Sequence, residues 1–570
     1  MIDSRLDGAF AIARRWEGLC RESHKKCMAM IPTQHNCLPS RLLDVKSSAG
    51  SSNLIFLVDG NGRSGQYTAL SHRWSSGLIP NWVTTIANRK RRERGLDVGI
   101  LPSCIRDAIT ITQQLGIQYL WVDSLCIVQD SKDDWAVESV KMLEVFGNAS
   151  ITLFADSAKN DEDNILKARQ GGNFQSRRGI SLNVIGKFGT EVPVRVLQRY
   201  SRYRFHYPAK AAGLFRSDVV HSTLSQRGWI FQEQCVASRR LHFGDHQMYW
   251  ICRESATAED GSNISFALTP WLQLGLNRRL SAARHDELWG HMVENYTRRS
   301  LTKSEDRMLA LSGLAKLFGE LTNDRYIIGC WEKMLRFNIL WAASPVNSRH
   351  SLFYSSNLKN RRPLAVSSWS WLSVVGPVEY PYLKAVNSLV CLDFTLLRGP
   401  QCIYQGNEYA TAPSSCTPIR LRGAMERAIA GRPITLKPGP VRSPPWYRDS
   451  IDLQGSCVPL SDSTKGFIGM MIPDSTRKLT GLKVLLLSAW VSTGMCPSCG
   501  KTKPMYRHFV VLEPLRLRTA GHNPCRRIGY GWAYLRERSE SALENRYPDH
   551  ELNDVYYTRW RAQPEEVDVF

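Results

Sequence analysis

Three short runs, YTALS (67–71), QYLWVD (118–123) and ITLFA (151–155), are apolar without alternation. A strand that alternates has one wet face; one that does not is buried on both, as parallel strands are. Between these runs the apolar residues recur at helical spacing. Pro102 and Ser103 open a helix with Ile105, Ala108, Ile109, Thr112 and Leu115 on one face, and Gly116 closes it. A second helix starts near Asp130 or Ser131 and stops at Gly147-Asn148. Asp133 and Asp134 sit in its first turn, where acids suit the helix dipole. Trp135, Met142, Leu143 and Phe146 are its expected buried stripe. Strands alternating with helices predict an α/β fold, a largely parallel sheet covered by helices on both faces. Ligands in such sheets lie beyond the carboxyl ends of the strands. Here those ends are Ser71-His72-Arg73-Trp74 and Asp123-Ser124-Leu125-Cys126.

The polar and basic stretch at about 156–224 has little period and reads as an insertion. SQRGWIFQEQ (225–234) then reads as a helix start, and RRLHF with HQMYWIC as a hairpin around Gly244-Asp245. Residues 285–345 carry helical spacing. From about Pro363 onward, β-like runs such as SSWSWLSVV, KVLLLSAWV, RHFVVLEP and RRIGYGWAYL dominate. The expected organisation is an N-terminal helical or extended segment (1–60), the α/β domain (61–255), a helical region (256–360) and a mostly β C-terminal region (361–570).

With 570 residues, 43% of them hydrophobic, the chain can bury a large core, which excludes a disordered or small disulfide-stapled protein. The run LKVLLLSAWV (482–491) covers about half of the roughly 20 residues a membrane span needs. MIDSRLDGAF lacks the basic and apolar blocks of a secretion signal. A cytoplasmic protein without a membrane span is expected, its 15 cysteines being reduced thiols. Lys plus Arg number 74 against 52 Asp plus Glu, a net charge of +22. That balance suits nucleic acid, an anionic surface or a phosphorylated ligand. The one dense basic block, Arg89, Lys90, Arg91, Arg92 and Arg94, reads as a solvated helix face or loop; its alternative is a nuclear address or nucleic-acid patch. No recognisable nucleic-acid motif accompanies it, so nucleic acid is not the expected partner.

Two metal patterns stand out. Cys496-x-x-Cys499 with His522-x-x-Cys525 has the paired form of a structural zinc site, and an exposed reduced loop is the alternative. Cys20, His24, Cys27 and Cys37 could gather a metal too, but Cys20, His24 and Cys27 have helical spacing and fit a buried stripe better.

YTALSHRW (67–74), YLWVDSLCIVQD (119–130) with DDWAVESVKMLEVFGNA (133–149), and RGWIFQEQ (227–234) together resemble the heterokaryon-incompatibility (HET) domain family of filamentous fungi. Weaker likenesses lie in CRESHKKC…LPSRLLDV (20–45), YTRRSLTKSEDRMLALSGLA (296–315) and SSWSWLSVVGPV (367–378). Val128 and Arg73 depart from the family's usual residues. The resemblance implies fungal nonself recognition leading to programmed cell death, a protein partner as trigger, and self-association. It also implies a domain distantly similar to TIR domains, with their flavodoxin-like fold. NAD-cleaving TIR domains carry a Trp-x-x-x-Glu step whose Glu is catalytic; Trp229 and Glu233 match it. NAD is then a substrate rather than a required cofactor. A carboxylate beside the ribose stabilises the positive charge that develops as the nicotinamide bond breaks.

Each of these residues has a plainer reading. Glu233 could be a solvated helix residue or partner Arg227 or Arg239, and Trp229 a core residue. Ser71, His72, Arg73 and Trp74 could meet a dinucleotide phosphate, although no G-x-G-x-x-G accompanies them and His72 alone suits a structural role. Asp123 could bind ribose hydroxyls or cap the following turn. Cys126, His72 and Asp123 could instead form a thiol-nucleophile site. Two other function classes stay open: a non-enzymatic assembly module and a basic nucleic-acid-associated protein.

Overall fold

The computed structural model describes residues 4–28, 38–46, 53–73, 80–166, 179–185, 191–197, 212–268, 282–301, 303, 306–343, 364, 366–374, 376–384, 392–430, 432, 434–435, 456–461, 467–473, 479–480, 482–495, 502–515, 524–534 and 564–570. The chain divides into two compact units, Met1–Arg278 and Arg279–Phe570.

The first unit opens with helices α1 (Ser4–Ser23) and α2 (Lys25–Met28) and strands β1 (Arg41–Asp44) and β2 (Leu54–Asp59). The three predicted strands follow as β3 (Tyr67–Ser71), β5 (Tyr119–Trp121) and β6 (Ile151–Phe154), with the two-residue β4 (Leu96–Asp97) between the first two. Helix α3 is Arg89–Arg94, α4 is Ser103–Gln114, α5 is Asp123–Cys126 and α6 is Lys132–Asn148. A hairpin, β7 (Gly179–Ile185) with β8 (Glu191–Leu197), forms inside the 156–224 stretch. Helix α7 (Gly228–Val236) leads into β9 (Arg239–Phe243), β10 (Met248–Cys252) and β11 (Ala256–Ala258).

Among the described residues nine of these strands form one sheet, ordered β11-β10-β9-β6-β3-β5-β1-β2-β4. Its centre, β5-β3-β6-β9, is parallel. β3 and β6 are buried along their whole length, which is why neither alternates. The flanks are antiparallel: β1 joins β5 on one side, β10 joins β9 on the other. The sheet is therefore mixed, its parallel part limited to four strands, because segments adjoining by hairpins supply the edges. In chain order the parallel strands lie second-first-third-fourth. The order reverses between β3 and β6, and in sheets of this kind ligands bind beyond the carboxyl ends of the strands at such a point.

Local sequence explains the helices that cover this centre. Ser131 caps α6, its hydroxyl accepting from the Asp134 N–H at 3.2 Å. Gly116 ends α4 with φ +73°, a conformation glycine reaches without strain. The expected stripe of α6 needs correction at two positions: Trp135 is 36% exposed and Leu143 half-buried, and Glu138, Ser139, Met142, Val145 and Phe146 are the buried residues. Trp135 lies edge-on to Trp229 of α7 instead, ring centroids 6.1 Å apart.

The second unit contains α8 (Ala282–Thr297) and α9 (Asp306–Thr322). Trp289, Phe318, Tyr326 and Trp331 pack ring to ring there. Trp289 and Trp371 both donate their indole N–H to the Gly329 carbonyl, at 3.0 and 2.7 Å. Gly329 has φ +81°, and a Cβ there would lie 2.7 Å from the Trp371 nitrogen. SSWSWLSVV, expected as a strand, forms a turn and a 3-10 helix at Trp371–Ser373. Ser370 caps it by accepting from the Leu372 N–H, and Trp369, Ser370, Trp371 and Leu372 are buried in succession rather than alternating. The other C-terminal runs are strands as expected: Lys483–Met495, Thr502–Pro514 and Pro524–Tyr534 belong to a ten-stranded sheet among the described residues. Cys402 and Cys416, opposite each other in a short ladder, are joined by a disulfide, which corrects the expectation that every thiol is reduced. Among the described residues no helix is long and apolar enough to cross a membrane.

Candidate functional site

The expected site residues are placed by the ends of β3 and β5, on the other side of β3 from the order reversal. Ser71 closes β3, His72 follows it buried, and Arg73 is exposed. Asp123 opens α5 immediately after β5. His72 Nδ1 lies 3.8 Å from Asp123 Oδ1, too long for a hydrogen bond. The aspartate side chain is 29% exposed, and its Oδ1 accepts from the Ser124 N–H at 2.7 Å. Asp123 thus holds the next backbone N–H, with a second face toward His72.

Four buried polar atoms here have no hydrogen-bond partner among the described residues: Ser71 Oγ, both ring nitrogens of His72, and Ser124 Oγ. Burial lowers the His72 pKa below its usual value; Asp123 raises it, Arg227 lowers it and Asp161 raises it. The ring is accordingly neutral at physiological pH, one nitrogen able to donate and the other to accept.

The surrounding frame is well tied. Arg41 donates to the Cys126 carbonyl at 2.6 Å and to Asp134 Oδ2 at 2.5 Å. That carboxylate also accepts from the Val128 N–H, fixing the turn after α5. Thr84 donates to the Leu125 carbonyl at 2.6 Å, and Arg92 donates to Thr84 at 3.3 Å. Arg92 departs from the solvated face expected of the basic block. It is only 1% exposed, its Nε and Nη2 lack partners among the described residues, and burial with Arg91 lowers its pKa to about 10. Arg89, Lys90, Arg91 and Arg94 are exposed as expected.

Helix α7 brings its N-terminus to the same edge. Arg227, the residue before it, donates to the His72 carbonyl at 3.0 Å. Trp229 is half-buried near that end. Glu233 is 5% exposed and lies about 7.5 Å further along the helix than Gly228, at 1.5 Å per residue. The far end of α7 meets the start of β9, so the helix runs antiparallel to the parallel strands.

Cys126 is buried and receives the Val122 N–H at 3.5 Å. Burial pushes its thiol up to about 12, so it is a protonated small hydrophobe rather than a thiolate nucleophile. Trp74 lies outside the described residues, as do Cys496, Cys499 and His522 of the C-terminal metal pattern. Cys525 is buried within the strand Pro524–Tyr534.

Sequence reasoning missed a second histidine–aspartate pair. Asp156, just past β6, lies 2.7 Å from His242 Nδ1 on β9, both side chains fully buried. Ser222 donates to the other carboxylate oxygen at 2.9 Å, and the imidazole stacks on Phe154. Burial pushes the Asp156 carboxyl up, and His242 and Ser222 draw it back. A signal is present in the sequence: Asp156 follows ITLFA as Asp123 follows QYLWV, but it opens the stretch that reads as an insertion.

Residues 67–233 match the family model described as heterokaryon incompatibility protein (HET). The match starts at the first residue of β3 and ends inside α7, and the chain carries a HET domain there. Neither a curated protein nor a solved structure matches the chain.

Proposed function

We propose that this HET-domain chain acts in fungal nonself recognition, an incompatible partner protein triggering cell death, and that its α/β domain takes NAD as substrate in the crevice beyond β3 and β5. The strand order second-first-third-fourth supports a TIR-like, flavodoxin-type reading. The observation that carries the proposal is the group of buried polar atoms at that edge, on Ser71, His72 and Ser124, that lack partners among the described residues. Each such atom costs about 1–3 kcal/mol unless something hydrogen-bonds to it. A ligand rich in hydroxyls supplies such bonds, and Arg92 is a buried cation for its phosphates.

In this reading Asp123 accepts ribose hydroxyls, Arg92 and Arg73 offset pyrophosphate charge, and Trp229 with Trp135 walls off the nicotinamide side. The ribose–nicotinamide C–N bond breaks with its electron pair leaving on nicotinamide. Glu233 steadies the cationic ribose, and water adds to give ADP-ribose, a proton going to solvent. Full-length chain incubated with NAD should release nicotinamide above a blank, measured chromatographically. Glu233→Gln should lower the rate by about 100-fold or more with unchanged thermal unfolding. Release at blank level in the unmodified chain, or no change in both Glu233→Gln and Asp123→Asn, sinks the enzymatic reading. If Glu233→Gln still triggers death in cells, the domain works by assembly.

A further inference from the structure

We propose that Cys20, His24, Cys27 and Cys252 form a structural zinc site that staples the N-terminal helices to β10, the second strand from the sheet's edge. Their donor atoms, three Sγ and one imidazole nitrogen, all lie within 4.8 Å of one another. Tetrahedral zinc with Zn–S bonds of about 2.3 Å spaces its sulfurs about 3.8 Å apart, so a small contraction closes the site. The helical stripe expected for Cys20, His24 and Cys27 does not exist as one helix. α1 ends at Ser23 and α2 begins at Lys25, and His24 sits in the break. That break lets three residues of a seven-residue spacing converge on one point. Cys252, the last residue of β10, completes the set from 228 residues beyond His24, its Sγ 3.3 Å from His24 Nδ1. Cys37, the fourth residue sequence suggested, lies outside the described residues.

Hydrogen-bond donors face the sulfurs. Arg239 Nε donates to Cys20 Sγ at 3.3 Å, and the Ser255 N–H donates to Cys252 Sγ at 3.3 Å. Backbone N–H groups of Glu254 and Arg253 reach Cys252 and Cys27. Such N–H···S bonds orient metal-bound sulfurs and spread their charge. Three thiolates with Zn²⁺ keep one net negative charge, which Arg239 meets directly. Cys20, Cys27 and Cys252 are buried and His24 is half-buried, so four protein donors fill the tetrahedron and leave no open position. A closed Cys₃His set is structural rather than catalytic and suits zinc over harder cations. The same ends also meet without metal: Trp16 packs on Trp250, and the Lys26 N–H donates to Glu254.

The test uses full-length chain purified under reducing conditions and analysed for metal by mass spectrometry. Cys252→Ser should carry one zinc per chain fewer than the unmodified protein; zinc held elsewhere survives that change. His24→Cys should keep the metal. Loaded with cobalt(II) alone, it should show a stronger thiolate-to-cobalt charge-transfer band than the unmodified chain, which decides the matter if Cys252→Ser does not fold. Equal zinc content in Cys252→Ser and unmodified chain overturns the proposal. So does a cobalt band that His24→Cys leaves unchanged, or a disulfide among Cys20, Cys27 and Cys252 in the reduced preparation.

Discussion

Two histidine–aspartate pairs flank the place where the parallel strand order reverses, and they are built to different ends. His242 and Asp156 lie 2.7 Å apart with no solvent access, a serine on the second carboxylate oxygen and a phenylalanine ring against the imidazole. His72 and Asp123 stand 3.8 Å apart, the aspartate partly in water and the imidazole without a hydrogen bond among the described residues. Equivalent strand-end positions thus carry one close, hydrogen-bonded pair, with His242 Nε2 alone left over among the described residues, and one that is slack. The first holds β6 to β9; the second has capacity left for something else. The difference is one of number: a single unpartnered ring nitrogen at the first pair, four unpartnered polar atoms grouped around the second.

Breaking each pair should separate the two most clearly. Asp156→Ala leaves His242 buried beside an empty space and should cost roughly 3–5 kcal/mol of stability in urea unfolding of the full chain. Asp123→Ala should cost less than about 1 kcal/mol, as expected for a long, partly exposed pair. Equal losses would erase the distinction. A smaller effect comes from acid. The folded pKa of His72 lies below its unfolded value, so the unfolded chain binds the extra proton first. Stability should therefore fall as pH drops below about 6.5, by at most about 1.4 kcal/mol per pH unit for this one group. His508, pushed down to about 3 by burial in the second unit, adds its own loss. The measured quantity is the difference in slope between unmodified chain and His72→Gln, and no difference would place His72 in a more open setting. Smallest should be Trp135→Ala, which removes an exposed edge-on contact and should cost about 1 kcal/mol while leaving the Asp156 pair intact.

Much of the α/β centre was legible because its signals are local. Non-alternating YTALS and ITLFA announce burial on both faces, and Ser131 and Gly116 mark helix ends by capping and by positive φ. What escaped depends on distant partners. Nothing near Arg92 in the RKRRER run distinguishes it from its exposed neighbours; it is buried by the fold, where its Nη1 donates to Thr84. Cys252 gives no metal signal alone, because its companions are over two hundred residues earlier. Trp135 fits a helical stripe by spacing, yet Trp229 draws it outward. SSWSW has a strand's composition, but Ser370 and the Gly329 carbonyl turn it into a clasp.

The extent of the family match has a practical consequence. A fragment cut at residues 67–233 would keep β3, β5 and β6 but lose β9 from one side and β1 from the other. Both outer strands would then present bare N–H and C=O rows, a template for sticking to any neighbouring copy. Clumping by such a truncated piece would report its severed rims and say nothing of how the intact chain assembles.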